Sequence, residues 1–466
     1  MLKPNIPVHT YLFFALVVWL PLPLGSNRAW AWSLMEAWVF ILFACVLLAW
    51  YRNKLQITPA LRAAKPILLI LAVFNLWLII QVIPLPIGWV QILSPQAAAV
   101  YLSAFPQAEF IALSLDVHSS AISLLKSLAY MMFFWLALML IDNRRKLEWL
   151  AYVILVGALF QASYGTYMVI GGGEFSFFLK KEDHLGLATG TFLNRNHFAG
   201  YLEMSLAVGI GLFISTLSDV QHHSWRARIR SFLNAVLSRK GLIRLMLIII
   251  CAGLIMSRSR MGNAAFFISL LFVGVLFLLT AKHATKSTSI LLLSLIVLDV
   301  VLVGSWVGVE RVVERMEHTS TETETRVEVA RDTMLMIKDY PLTGVGGGNY
   351  FSSFPAYRGH DIQSYYNHTH NDYLELLSEF GAVGMSLLVM VVLLSLFSGI
   401  RAIRRRSSPL LLGMAFASVM GTVSILIHST VDFNLQIPSN AMMFMLMLAL
   451  DVIALHMPNK GQSHRG

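Results

Sequence analysis

The sequence predicts an all-α polytopic membrane protein, with about twelve transmembrane helices and one large, partly helical loop on the outer face. Composition is the first observation behind this. Hydrophobic residues are 57% of the 466 and charged residues 13%, with a mean hydropathy of +0.68. A soluble domain carries about 25% charged residues. The second observation is length: apolar runs of about 20 residues recur between short polar loops, enough to cross a bilayer as a helix. The third is that basic residues collect in every second loop. The net charge of +10 is then a property of cytoplasmic loops, and no nucleic-acid partner is expected.

In chain order the expected spans lie at 9–24, 31–50, 66–84, 121–141, 148–170, 196–217, 242–257, 261–281, 288–308, 381–400, 409–430 and 438–456. The first leads into "GSNRAW" with no small-residue cleavage pattern, so it is read as a span and not as a signal peptide. Cys45 and Cys251 both fall inside spans and are expected as buried thiols, not as a disulfide. The basic clusters are Arg52–Lys65, "DNRRK" at 142–146, Arg226–Lys240, Lys282 with Lys286, and "RAIRRR" at 401–406. All fall on one side of a twelve-span chain, which the positive-inside rule makes cytoplasmic, together with both termini. Span interiors are read as nearly free of charge apart from Lys126. The chain divides accordingly into spans one to nine (1–308), an outer loop (309–380), and spans ten to twelve with a cytoplasmic tail (381–466).

Arginines are depleted from outer loops, so those that occur there need a reason. They include Arg28, Arg195, Arg258, Arg260, Arg326, Arg331 and Arg358. Within the long loop, "TRVEVARDTMLMIKDY" has the apolar spacing of an amphipathic helix, stopped by Pro341 and the glycines of "TGVGGGNYF". "HNDYLELLSEF" follows as a second helix, with Asn371 or Asp372 as its N-cap and Gly381 at its end.

His370 stands just before that helix, where the positive end of the dipole favours neutral imidazole. Such a group is a candidate general base; the alternative is an ordinary loop histidine. His368, His370 and Asp372 alternate, with His360 and Asp361 nearby, but the spacing fits no strong zinc signature and no metal is expected. "GVGGGNYF" lacks the Lys-Ser/Thr ending of a P-loop and is read as a turn whose amides are able to touch an anion. Arg260 in "SRSRMGN" and Arg326 at the start of the loop helix sit where guanidinium groups suit the phosphates of a polyprenyl diphosphate. The alternatives are snorkelling to headgroups for Arg260 and an i,i+4 pair with Glu322 for Arg326.

These motifs together resemble the O-antigen ligase and polymerase superfamily. His370-Asn371, nine residues, then Gly381-Ala-Val-Gly384 matches its His-Asn-x9-Gly-x-x-Gly signature. "GTFLNRNHFAGYL" (190–202), "SRSRMG" (257–262), "DYPLTGVGGGNYF" (339–351) and "HSTVDFNLQIPSNAMMF" (428–444) are similar to the same family in order and placement. Met385 departs from the Thr or Val that ligases commonly carry there.

The resemblance implies a GT-C-type glycosyltransferase of the bacterial inner membrane, acting at its periplasmic face without cofactor, metal or nucleotide sugar. It implies a glycan donor on undecaprenyl diphosphate and, as acceptor, either another glycan or lipid A core, with membrane lipids around it. His370 would deprotonate the acceptor hydroxyl, while Arg260 and Arg326 would hold the diphosphate. Arg195, Asn194, Asn196 and Arg258 are secondary candidates, as are Asn371 and Asp372; Asp372 or Glu375 is considered for orienting His370, and Asp432 and Asn434 rank lowest as donor or sugar contacts, with helix capping as the alternative. The preferred expectation is a polymerase of O-antigen or exopolysaccharide repeat units. The alternatives are an O-antigen ligase (or a transferase acting on protein) and a non-catalytic transporter of lipid-linked oligosaccharide.

Overall fold

The computed structural model describes residues 6–176, 178–217, 238–295, 297, 321–360, 362 and 366–458, without the side chains of 321–325. The described chain is almost entirely helical. α1 (Val8–Trp19), α2 (Ala29–Tyr51), the short α3 (Pro59–Ala63) and α4 (Lys65–Val82) come first. α5 (Ile87–Leu93) and α6 (Pro95–Ala104) precede α7 (Val117–Leu140), α8 (Arg144–Gly171) and α9 (Arg195–Ser215). α10 (Arg239–Met256), α11 (Arg260–Thr280) and α12 (Lys286–Leu295) follow. α13 (Thr321–Asp339), α14 (Tyr350–Ser353), α15 (Asp372–Arg405), α16 (Pro409–His428) and α17 (Pro438–His456) complete the order. The only strands among the described residues are two-residue antiparallel pairs, Leu85–Pro86 with Phe110–Ile111 and Phe175–Ser176 with Leu179–Lys180.

Nine of the described helices are long and apolar enough to cross a membrane: α2, α4, α7, α8, α9, α11, α15, α16 and α17. The protein is therefore a multi-pass membrane protein. Shorter or more basic helices, α1 and α10, occupy the first and seventh expected spans. The ninth expected span begins with α12, and most of its remainder lies outside the described residues, as do Arg226, Arg228 and Arg230 of the third basic cluster.

Capping chemistry sets where several helices begin. Asp116, Asn143, Asn194, Ser238, Ser259 and Asn371 each accept a backbone N–H of the first turn through the side chain. Packing then separates inner from outer helices. The apolar windows of α9 and α17 are 94% buried, whereas those of α2 and α4 are 33% buried and leave their remaining apolar surface to lipid. α9 and α16 cross in backbone contact: a Cβ on either Gly211 or Gly413 would strike the other's carbonyl.

Two expectations are corrected. Cys45 and Cys251 are free, but Cys45 is exposed on the outside of α2 and not buried. Nor is Lys126 alone among charged types within the spans. Glu36, Glu203 and Asp451 are buried on α2, α9 and α17, Glu203 against His428 and Asp451 accepting from Ser418 Oγ at 2.6 Å. A buried carboxyl is tolerated in a membrane helix only with such partners. Lys126 itself lies 3.9 Å from the centre of the Trp32 ring.

At one end of the bundle, residues 84–116, 326–360 and 362 form a cap with its own core. Val90, Ala97 and Leu113 pack there with Met336, Tyr350 and Phe354. The glycine turn lies beneath it. Gly344, Gly346 and Gly348 have φ of 66°, 109° and 75°, open to glycine at no steric cost. The Gly346 N–H donates to the Glu379 carbonyl at 3.0 Å, and the Tyr350 N–H donates to the Glu379 carboxylate at 3.2 Å. The acceptor held by this turn is the protein's own Glu379. At Gly381 (φ 63°, ψ −176°) the helix of the "HNDYLELLSEF" stretch breaks before the span proper, and a Cβ there would meet the Leu342 carbonyl.

Candidate active site

Three helices begin at the same place. Asn194, Ser259 and Asn371 are the N-caps of α9, α11 and α15. The turn between α16 and α17, residues 429–437, lies among them and joins them through Asp432. The Asp432 Oδ2 accepts a hydrogen bond from Asn196 Nδ2, and Oδ1 accepts from the Phe433 N–H at 2.8 Å. Asn196 Oδ1 in turn accepts from Ser259 Oγ at 2.8 Å, which ties α9 to α11. The Asp372 N–H donates to the carbonyls of Ser429 and Asp432, which ties α15 to the same turn. Three helix N-termini, each the positive end of a dipole, thus converge on one polar centre.

His370 is held over that centre. It adopts φ 54°, unusual for a residue with a side chain, and its Nδ1 is buried 3.8 Å from Asp432 Oδ1. The side chain is 21% exposed, so the open nitrogen is Nε2. His197 approaches Asp432 from the other side, Nε2 to Oδ1 at 3.7 Å. Phe433 fills the space between. His197 and His370 meet its ring edge-on at 4.5 and 4.8 Å, and His368 stacks on it at 4.2 Å. Burial alone would raise the Asp432 carboxyl, but its interactions with His197 and His370, and the nearby His428, outweigh burial and hold it well below the usual carboxylate range. A fixed negative charge therefore faces the Nδ1 edge of His370.

His368 belongs to a separate network. Its Nδ1 lies 2.6 Å from Glu375 Oε1, and Glu375 Oε2 accepts from the Thr369 N–H at 2.9 Å. Burial lowers the His368 pKa, but the Glu375 carboxylate more than offsets that and the net shift is upward. His368, His370 and Asp372 thus point into three different networks instead of converging. Asp361, the other residue weighed with them, lies outside the described residues.

The remaining expected residues fall as follows. Arg326 reaches the 429–437 turn, its Nη1 lying 3.5 Å from the Val431 carbonyl, one residue before Asp432. The side chain of Glu322, its alternative partner, lies outside the described residues. Arg260 is the first residue of α11 and Arg195 the first of α9, each directly after or before a residue bonded in the network. Arg258, at φ 50°, forms the bend that brings Ser259 to Asn196. Asn371 is the cap of α15, accepting from the N–H groups of Tyr373 and Leu374 at 3.0 and 3.1 Å and donating to the Thr430 carbonyl at 2.9 Å.

Two expectations change here. Asp372 is not the cap: it is buried, and its Oδ2 accepts from Ser429 Oγ at 2.6 Å and the Leu435 N–H at 3.0 Å, fixing the turn. Neither Asp372 nor Glu375 faces His370; Asp432 does.

Sequence reasoning placed Asp432 too low and passed over His197. It also missed a fully buried pair behind the site, where His428 Nδ1 lies 2.7 Å from Glu203 Oε1 and Ser424 Oγ donates to Glu203 Oε2 at 2.6 Å. The signal was available in the quoted stretches "NRNHF" and "HSTVDFN", polar islands at the ends of apolar spans.

A family model described as O-antigen ligase matches residues 245–389, the segment that carries Arg258, Arg260, Arg326 and His370. Over that segment the chain is similar to the O-antigen ligase family. Comparison with curated proteins found no match. The matched segment carries His370 and these arginines, while Asn196, His197 and Asp432, which lie outside it, complete the polar centre.

Proposed function

We propose that this protein is a glycan polymerase that transfers a chain en bloc from undecaprenyl diphosphate to a sugar hydroxyl of a second lipid-linked glycan. The observation that carries this reading is the convergence of three helix N-termini and arginine-bearing segments around one imidazole backed by a carboxylate. Positive charge suits a diphosphate, and a histidine with an open Nε2 suits a hydroxyl proton.

The step balances without further reactants. His370 Nε2 takes the acceptor hydroxyl proton as that oxygen attacks the anomeric carbon. The carbon–oxygen bond to the diphosphate breaks, and the departing negative charge is met by Arg260, Arg326 and the helix N-termini. Asp432 holds His370 with Nδ1–H turned inward and stabilises the imidazolium that forms; His197 and Asn196 hold Asp432 in turn. Asn371 and Asp372 shape the segment that presents His370. Arg195 and Arg258 flank the same centre and are assigned to the donor's phosphates or sugars. None of these steps needs a metal or another cofactor.

The arrangement of basic loops supports a bacterial inner-membrane location, cytoplasmic termini and a periplasmic site. Lys338, exposed on the cap, tests this: a cysteine there is expected to react with an impermeant maleimide added to intact spheroplasts. The ligase reading is the second one, favoured by the family description. Purified protein given lipid-linked donor alone distinguishes the two. A ladder of lengthening chains is the expected result. No product until lipid A core is supplied would transfer the assignment to ligase, and turnover retained by His370→Ala would remove His370 as the base.

A further inference from the structure

No Asp, Glu, Lys, Arg or His occurs from 66 to 108. α4 explains the first part of that stretch, because it crosses the membrane. The second part does not cross. α5 and α6 are short helices of the cap, and Val90, Ala97 and Ala98 on them are buried against the cap core. Large apolar side chains here are open: Trp89 is 64% exposed, Ile92 80% and Phe105, directly after α6, 64%, with Gln91, Gln96 and Ser103 the exposed polar residues of the two helices. Phe110, on the paired strand beside them, is 60% exposed. A soluble surface seldom leaves so much contiguous apolar area to water.

The surroundings identify what covers it. The segment is tied at both ends to spans, α4 ending at Val82 and α7 starting at Val117. The lipid-facing stripe of α4, Leu69, Leu76 and Ile79, runs through exposed Ile83 into the same face. Trp89 and Tyr101 are residue types of the membrane boundary. A groove of about 830 Å³ opens between the end of α4 and this face, lined by Val82, Pro84, Phe105, Phe110, Ile111 and Val117. That volume lies in the range of small-ligand sites, and its lining is mostly apolar, with Tyr101 and Gln107 its polar-bearing members.

We propose that α5, α6 and the Leu85–Pro86/Phe110–Ile111 strand pair form an interfacial element seated in the adjoining leaflet. Lipid hydrocarbon tails cover Trp89, Ile92 and Phe105 and enter the groove, so that the cap rests on the bilayer beside α4. The element is then a lipid contact distinct from the spanning helices.

Site-directed spin labelling of the full chain tests this, in a background lacking Cys45 and Cys251 and in liposomes of phosphatidylethanolamine and phosphatidylglycerol. Labels at Ile92→Cys and Phe105→Cys should favour oxygen over a water-soluble nickel chelate, as a label at Ile41→Cys on the outer face of α2 does; Lys338→Cys gives the aqueous reference. Accessibility like that at 338 overturns the proposal, and so does protection from both reagents, which would mean a protein partner or second copy covers the face. The unsubstituted protein provides an independent measurement. Reconstituted with a diazirine-tailed phospholipid and irradiated, it should carry lipid adducts within 85–112 as well as on α4. Adducts on α4 with none in that segment would also overturn it.

Discussion

Asp432→Asn removes one charge and keeps the shape of the side chain. The carboxylate is 1% exposed and lies 3.8 Å from His370 Nδ1. At that distance, with an effective dielectric constant of about 20, it stabilises an imidazolium by about 4 kcal/mol. A transition state in which most of the proton has moved to His370 therefore loses about 3 kcal/mol in the variant, a fall of about 100-fold in kcat. The substitution also disturbs packing, because the new amide would face the Asn196 amide donor. Asn196 cannot turn over to relieve this without surrendering its bond from Ser259. The double variant Asn196→Asp/Asp432→Asn separates the two effects. It restores donor and acceptor across that bond but moves the charge to the far side, away from His370. Its thermal unfolding temperature should return towards that of the wild type while turnover stays about 100-fold down. The assay is the rate of glycan transfer from lipid-linked donor at saturation, beside unfolding of the same preparation followed by fluorescence. A single variant within about threefold of wild-type turnover would refute the reasoning, as would a double variant that regains both activity and stability.

Other substitutions probe the supports of the site. Glu203→Ala leaves His428 buried without its carboxylate and should cost about 3–5 kcal/mol, whereas replacing both by apolar residues of similar volume should cost much less; thermal unfolding in one detergent compares them. The raised His368 pKa contributes stability that is complete below the ordinary histidine value of about 6.5 and is lost as pH rises through the raised one. Unfolding temperature should therefore fall on that alkaline limb in the wild type and not in Glu375→Gln; identical profiles would dissolve the pair's role. Asp432 has the opposite sign. Its contribution is present above the ordinary carboxylate value of about 3.9 and disappears only as pH falls through its depressed one, so Asp432→Asn should flatten the acid limb. Gly381→Ala forces a side chain into φ 63° against the Leu342 carbonyl and should lose about 1–3 kcal/mol, read as a lower unfolding temperature.

What was legible in the sequence follows from how local each feature is. The helix start at Asn371, the break at Gly381 and the amphipathic α13 depend on residues within a turn or two of one another, and caps and glycines mark them. The glycine turn is recognisable as a turn for the same reason, but the side chain it holds is not. Glu379 lies 31 positions beyond Gly348 and is brought there by the fold. The acid facing His370 fails the same test more severely. Asp372 and Glu375 are its neighbours in sequence, yet a residue two places along a newly started helix turns away, and both are consumed by Ser429 and His368. Asp432 and His197 lie 62 and 173 positions away and meet His370 only because α9, α15 and the α16–α17 turn end at one level of the bundle. Buried charges were hidden by a different cause. A single Glu203 or Asp451 barely alters the hydropathy of a twenty-residue window, so periodicity gives no sign of it. Yet a lone carboxyl in an apolar helix costs several kcal/mol unless paired, and that cost is itself a signal. Read that way, Glu203 requires a partner at the same depth on another helix, and His428, the last residue of α16, meets that requirement beside the turn that carries Asp432.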